Sequence, residues 1–283
     1  MSDGEGENSP SQVTVPSLFI SHGAPTLALN PGSAGHAMTQ LGEVYRSQFP
    51  TLQGVIVMSP HWVTHTLSVQ SHYTAPILHD FGGFPEALYR LDYSAPGSPD
   101  LADRIMEALS RSGRRVAKDS TRGLDHGAWV PLRYLFPDAR LPVLQVSMPD
   151  SVRPEEAFRI GEALRPISES GYLIIGSGGL THNLGHYRGQ SDDAKPLPYV
   201  QPFAEWFHAH LMSLNFDALF QYRRLAPYAQ EAHPTDDHLM PLFFALGAAP
   251  STNATRLHAS VSHALLAMDL YAFGDWQGES PSS

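Results

Sequence analysis

Four short apolar runs limit this chain's fold more than any other feature: SLFI at 17–20, GVIVM at 54–58, LPVLQVSM at 141–148 and YLIIGS at 172–177. They are brief, rich in β-branched residues and close on Ser, Gly or His, so they read as strands buried on both faces. Helical signals fall between and after them. Residues 99–113 open on Pro and Asp, close on Gly113, and gather Leu101, Ile105, Met106 and Leu109 into one stripe. Residues 153–171 carry acids in the first turn and Gly171 after the last, with Pro166 expected to break the helix late. Further helices are expected over Pro202–Leu214 and His238–Leu246, whereas ALLAMDLYAF at 264–273 fits a strand or a helix equally well. This alternation predicts a single α/β domain. Its central sheet should be mostly parallel or mixed and flanked by helices, with any site at the carboxyl ends of the strands. The expected division is a disordered arm at 1–13, the folded catalytic domain at 14–275 and a flexible tail at 276–283. The Pro- and Gly-rich stretch from Pro76 to Pro99 is too aromatic for a linker and reads as an ordered loop over a site.

A chain of 283 residues with 42% hydrophobic and 16% charged residues has ample material for a core. Its net charge of −10 argues against a nucleic-acid partner, because no basic stripe is present to displace counterions from phosphates. No apolar run is long enough to span a bilayer, and the acidic start MSDGEGENSP is unlike a secretory signal, so a cytoplasmic protein is expected. Monomer and homo-oligomer are left equally open. With no cysteine, thiolate metal sites and cysteine nucleophiles are excluded, and any metal must sit on His, Asp or Glu. Fifteen histidines direct attention to imidazole ligation.

Three histidines stand just past the carboxyl ends of expected strands: His22 after SLFIS, His61 after VIVMSP and His182 after IIGSGGLT. A fourth, His238, opens an expected helix, with His233 five residues before it. Structural histidines have no reason to collect at one rim of a sheet, whereas a metal site requires such convergence. Asp236, Asp237 and Glu231 compete with His238 for the third place of a two-histidine, one-carboxylate set. His126 in GLDHGAW reads equally as a site residue or as a turn histidine satisfied by Asp125 or the backbone, and His79 in HDFGGFP stays open. The remaining histidines, His263 among them, are assigned to surface or packing roles. GSGG at 176–179 is no nucleophile turn, because position 175 is Ile where that motif needs Gly.

The segments SLFISHGAP, VIVMSPHW, HDFGGFPEALY, YSAPGSP, GLDHGAW, GSGGLTHNL and HPTDDHLMPLFFALGA together resemble the DOPA 4,5-dioxygenase family. That family belongs to the class III extradiol ring-cleavage dioxygenases and is related to the catalytic subunit of protocatechuate 4,5-dioxygenase. The resemblance implies metal ligation by His22, His61 and His238. It makes His182 the acid/base or a fourth ligand, and it places His126 at the substrate pocket. In the protocatechuate branch a glutamate stands where this chain has His238, so an all-histidine site here would carry one negative charge fewer. The implied activity is O2-dependent opening of a catechol beside its two hydroxyls, to a semialdehyde. Fe(II) is the expected working metal, with Zn(II) a redox-silent occupant of the same site. His126, His79 and Tyr134 are the candidates for orienting the substrate. The alternative is a zinc hydrolase using the same histidines to acidify a bound water.

Overall fold

The computed structural model describes residues 14–74 and 76–278. The expected arm at 1–13 and the end of the expected tail at 279–283 lie outside them. In chain order the strands are β1 (Ser17–Ser21), β2 (Gly54–Thr64), β3 (Ser68–Gln70), β4 (Ala117–Asp119), β5 (Val143–Pro149), β6 (Tyr172–Gly178), β7 (Ala254–His258), β8 (Val261–Ser262), β9 (Leu266–Ala267) and β10 (Leu270–Phe273). Eight of them form one mixed sheet in the order β4-β3-β5-β2-β6-β1-β10-β7, and β8 pairs with β9 alone. The central strands β5, β2, β6 and β1 run parallel, while β10 and β3 pair with their inner neighbours antiparallel.

Side chains alternate along those central strands, and both faces are apolar. Leu18, Ile20, Val55, Val57, Leu173 and Ile175 enter one core, whereas Phe19, Ile56, Met58 and Ile174 enter the other. The first core is closed by α1 (Gly32–Gln48) and α4 (His126–Leu135); α2 (Glu86–Tyr89) is a single turn within the long aromatic loop. The second is closed by α3 (Pro99–Arg111), α5 (Pro154–Glu169), α6 (Val200–Met212), the short α7 (Phe216–Phe220), α8 (Tyr222–Leu225) and α9 (Ala229–Ala232), and α10 (Met240–Ala248). Each fully buried Leu, Ile or Val contributes about 1.5–3 kcal/mol relative to exposure. Stability therefore rests on this double core rather than on any one polar group at its rim.

Several expectations shift in detail. ALLAMDLYAF is strand, split between β9 and β10. Pro166 lies inside α5, which runs on to Glu169, because a proline so near the end removes little of the hydrogen-bond ladder. β2 continues past Met58 to Thr64 with a register irregularity between Met58 and Val63, and His61 sits in that irregular stretch. The packed chain reaches Trp276, one residue past the expected domain end, where its ring lies 5.7 Å from Tyr45. Gly176 and Gly178 of β6 have a steric reason to be glycine: a Cβ would strike the backbone carbonyl of Pro241 at the first and of His238 at the second. The GSGG segment is thus a seat for the start of α10, and it brings His238 down onto the sheet.

Candidate metal centre and the cavity above it

His22 directly follows β1, and its backbone N–H donates to the carbonyl of Gly178 at 2.9 Å. Its ring Nδ1 lies 3.0 Å from Ser177 Oγ, and that hydroxyl in turn donates to the Gly127 carbonyl at 2.5 Å. Since the hydroxyl proton is committed, His22 Nδ1 must be the donor, and its Nε2 turns a lone pair inward, toward His61. His61 Nε2 faces that atom at 3.2 Å, while its Nδ1 lies 3.8 Å from Asp80. Asp80 also accepts from His126 twice, from the backbone N–H and from ring Nδ1, each at 3.0 Å. His126 is the first residue of α4, capped by the Asp125 carboxylate, which accepts from Ala128 N–H at 3.3 Å. Asp125, one of the partners offered for a turn histidine here, is therefore occupied elsewhere, and the His126 ring meets Asp80 instead.

His238 stands two residues ahead of α10. Its Nδ1–H donates to Asp237 at 2.6 Å, and its Nε2 is buried with no partner among the described residues. Asp237 thus braces a histidine and is not turned inward as a ligand of its own. His182 lies flat against His238, with ring centroids 3.5 Å apart and planes 4° apart. The segment carrying it is pinned twice to the chain ahead of His238: its N–H donates to Ala232 at 2.9 Å, and His233 Nε2 donates to the Leu180 carbonyl at 2.9 Å.

Burial and mutual repulsion keep His22, His61 and His182 neutral. His22 is held well below the usual imidazole range by burial and then by the charges of His61 and His126. Burial, with His126 and His238 beside it, takes His61 down to about 2, and burial with His238 takes His182 down to about 3. Burial works against ionising Asp80, yet the His126 hydrogen bond and charge bring its carboxyl down to about 2. Neutral imidazoles braced by oxygens, with lone pairs converging, form a donor set for a cation. Two nitrogens on one zinc-sized ion at a tetrahedral angle sit about 3.3 Å apart, which the 3.2 Å between His22 and His61 matches. One nitrogen from each of His22, His61 and His126 lies within 4.8 Å of the others, and the His238 ring centroid lies 5.6 Å from that of His22 and 5.1 Å from that of His61.

The model of the catalytic LigB subunit of aromatic ring-opening dioxygenases matches residues 16–274. The chain belongs to that family. It is similar to a 4,5-DOPA dioxygenase extradiol of Beta vulgaris, 36% identical over 259 residues that cover 90% of this chain and 95% of the relative. It is also similar to the enzyme of that name from Escherichia coli, 33% identical with 84% and 86% of the two chains covered. A solved structure of an uncharacterised Escherichia coli K12 protein superposes with a TM-score of 0.73 at 27% identity, covering 92% of this chain and 99% of that one.

In this family member the expected site residues separate into two sets. His22, His61, His126, His182 and His238 all line one cavity of about 460 Å³. His79 and Tyr134 do not. The Tyr134 hydroxyl donates to the Leu27 carbonyl at 2.5 Å, and the His79 ring packs within an aromatic cluster 5.7 Å from Phe81 and Tyr89 and 6.0 Å from Trp129. Both stand behind the wall. Conversely His263, assigned to surface or packing, lines the cavity with Phe81 and Phe84. The braces Asp80 and Ser177 also escaped the sequence reading, and no spacing could have found them, since each meets its histidine across 46 or more residues.

Proposed function

We propose that this chain is an extradiol dioxygenase that opens the ring of a substituted catechol with O2 at an Fe(II) held by His22, His61 and His238. The observation that carries the ligand choice is His238 Nε2, a buried nitrogen without a partner on a ring whose other nitrogen is fixed by Asp237. His126, the rival third ligand, is braced at Nδ1 by Asp80 in the same way, but none of its nitrogens is among the buried atoms left without a partner, and it is assigned to the wall of the substrate pocket. The 4,5-DOPA dioxygenases among the relatives support a catechol as the substrate class.

When bound, Fe(II) would supply the electron exchange that lets O2 react with a catechol, which zinc lacks. The chain's own residues handle position and protons. Burial leaves His182 neutral, and its ring, stacked on His238 and lining the cavity, is placed to accept a hydroxyl proton from the catechol and return it to an oxygen as the ring opens. His126 with Asp80 holds a fixed imidazole against the other side of the substrate. Phe81, Phe84 and Leu265 exclude water around the ring. The balance closes without another reductant: one ring C–C bond beside the two hydroxyls breaks, and both oxygen atoms stay in the product as carboxylate and aldehyde.

Anaerobic reconstitution with Fe(II), addition of a catechol and then admission of air should produce a visible absorbance with one O2 consumed per ring. The Zn(II) form should bind catechol without turning it over. Hydrolytic turnover with zinc in the absence of O2 would replace this reading with the zinc hydrolase.

A further inference from the structure

We propose that His263, set by Ser262 and Asp192, is the residue that receives an amino group carried on the substituent of the catechol. This rests on the catechol reading above and deepens it. His263 lines the cavity of the five site imidazoles, yet its ring is in contact with none of them. Among the described residues its one ring contact is Tyr187, at 5.9 Å. His263 also lines a second cavity of about 190 Å³, and the two cavities share Ala24, Thr26 and His263 as wall. Thr26 and His263 are therefore the polar side chains at the border between them.

β8 and β9 are joined through His263, Ala264 and Leu265, and the first two take left-handed backbone, at φ 53° and 64°. Glycine adopts that conformation without strain, so the turn by itself does not call for an imidazole. Neighbours fix the turn from two sides. Thr181 Oγ donates to the Leu265 carbonyl at 2.8 Å and accepts from Ala267 N–H at 2.7 Å, while Leu197 N–H donates to the Ala264 carbonyl at 2.8 Å. His263 N–H donates to the Asp192 carbonyl at 3.1 Å. Its ring is oriented as that of His22 is. Ser262 Oγ donates to the Asp192 carboxylate, so at the 2.6 Å contact between Ser262 Oγ and His263 Nδ1 the ring nitrogen is the donor. With Nδ1 committed, Nε2 is the nitrogen left to meet a ligand, as a lone pair on the neutral ring.

The charge at this border has one sign. Among the described residues Asp192 is the only Lys, Arg, Asp or Glu lining either cavity, and its carboxylate lies 3.5 Å from His263 Nδ1. Asp192 Oδ2 also lies 3.4 Å from where a Cβ would stand on Gly32, so the positive end of α1 already has a carboxylate beside it. Arg188, on the segment leading to Asp192, donates to the carbonyls of Gly185 and Tyr187, both at 2.7 Å, and lines a separate cavity. An ammonium at Nε2 gains an acceptor and a nearby negative charge, whereas a carboxylate there meets a lone pair and Asp192.

The test compares 4-(2-aminoethyl)catechol with 4-propylcatechol, which has the same shape, and with 3-(3,4-dihydroxyphenyl)propanoate. Their Kd values for the Zn(II) form are measured by calorimetry at about pH 8, above the ordinary range of an imidazole and below that of an alkylamine. His263→Gly suits the left-handed backbone and removes the ring. In that variant the Kd of the amine relative to that of 4-propylcatechol should rise about tenfold, the size of a hydrogen bond to a charged group. The same ratio for the propanoate should not rise. Asp192→Asn should raise the amine ratio about threefold, as suits a carboxylate open to solvent. An amine ratio unchanged by His263→Gly overturns the inference, and so does an equal rise for the propanoate, which would mark a general loss of polar wall. Conversion by the Fe(II) form in air reports the dioxygenase reading separately. If none of the three catechols binds, that reading and this inference fall together.

Discussion

His22 and His238 each commit Nδ1 to an oxygen, Ser177 or Asp237, and turn Nε2 inward, whereas His182 on the same rim has no hydrogen bond to its ring among the described residues and rests flat on His238. The first arrangement fixes tautomer and direction, which a metal ligand needs. The second leaves both nitrogens free to exchange a proton, which a general acid/base needs. His22 and His238 are buried and His182 half-buried, but all three line the cavity, and it is the bracing atoms that separate the roles. His126 stands between the two cases, since its Nδ1 is braced by Asp80 and its ring centroid is only 4.0 Å from that of His61.

The comparison can be broken most decisively at the ligands. His22→Ala and His61→Ala should weaken metal binding by well over 100-fold, beyond what loss of an outer brace does, while the circular dichroism stays native because the double core does not depend on the ion. Metal titrations of His238→Ala and His126→Ala then decide the third place. Retained affinity in the first variant with loss in the second would move the ligand set to His22, His61 and His126.

A somewhat smaller effect is expected at His182. His182→Gln should retain its metal and bind catechol to the Zn(II) form, while kcat falls by about 10²- to 10⁴-fold, the range for losing a general acid/base. Metal content measured with and without catechol sharpens the contrast. Loss in the substrate-free form alone identifies a ligand displaced by substrate, and loss in both places His182 with His22.

The smallest effect belongs to the braces. Asp237→Asn keeps an acceptor oxygen but removes the charge opposite His238, and should lower metal affinity about 10- to 100-fold. Asp80→Asn should leave affinity nearer the unmodified value and act on kcat/KM, because its stronger contact is to His126 at 3.0 Å and its distance to His61 is 3.8 Å. If Asp80→Asn costs more metal affinity than Asp237→Asn, the division between ligand and pocket histidines drawn here is reversed.

Much of this was legible in the residues alone. Runs such as SLFI and YLIIGS are strands because a buried parallel sheet demands apolar side chains on both faces, and that demand is written locally. The histidines at their ends were visible for the same reason: strand ends gather at one rim in any sheet of this class. Of the helices that pack on the sheet, α1 and α4 were not visible. In α1, Gly42 is where the backbone of Leu135 passes close enough that a Cβ would collide with it, a need that arises only in the packed structure. α4 opens on Asp125-His126-Gly127, which reads as a turn until the Asp125 cap is seen. The sequence by itself determined the α/β class and which imidazoles could meet. Only the tertiary structure decided which nitrogen of each ring turns inward, that Asp80 serves His126, and that His263 joins the cavity wall while His79 and Tyr134 stand behind it. Those outcomes depend on contacts between segments far apart in the chain, and local sequence pattern carries no record of such distances.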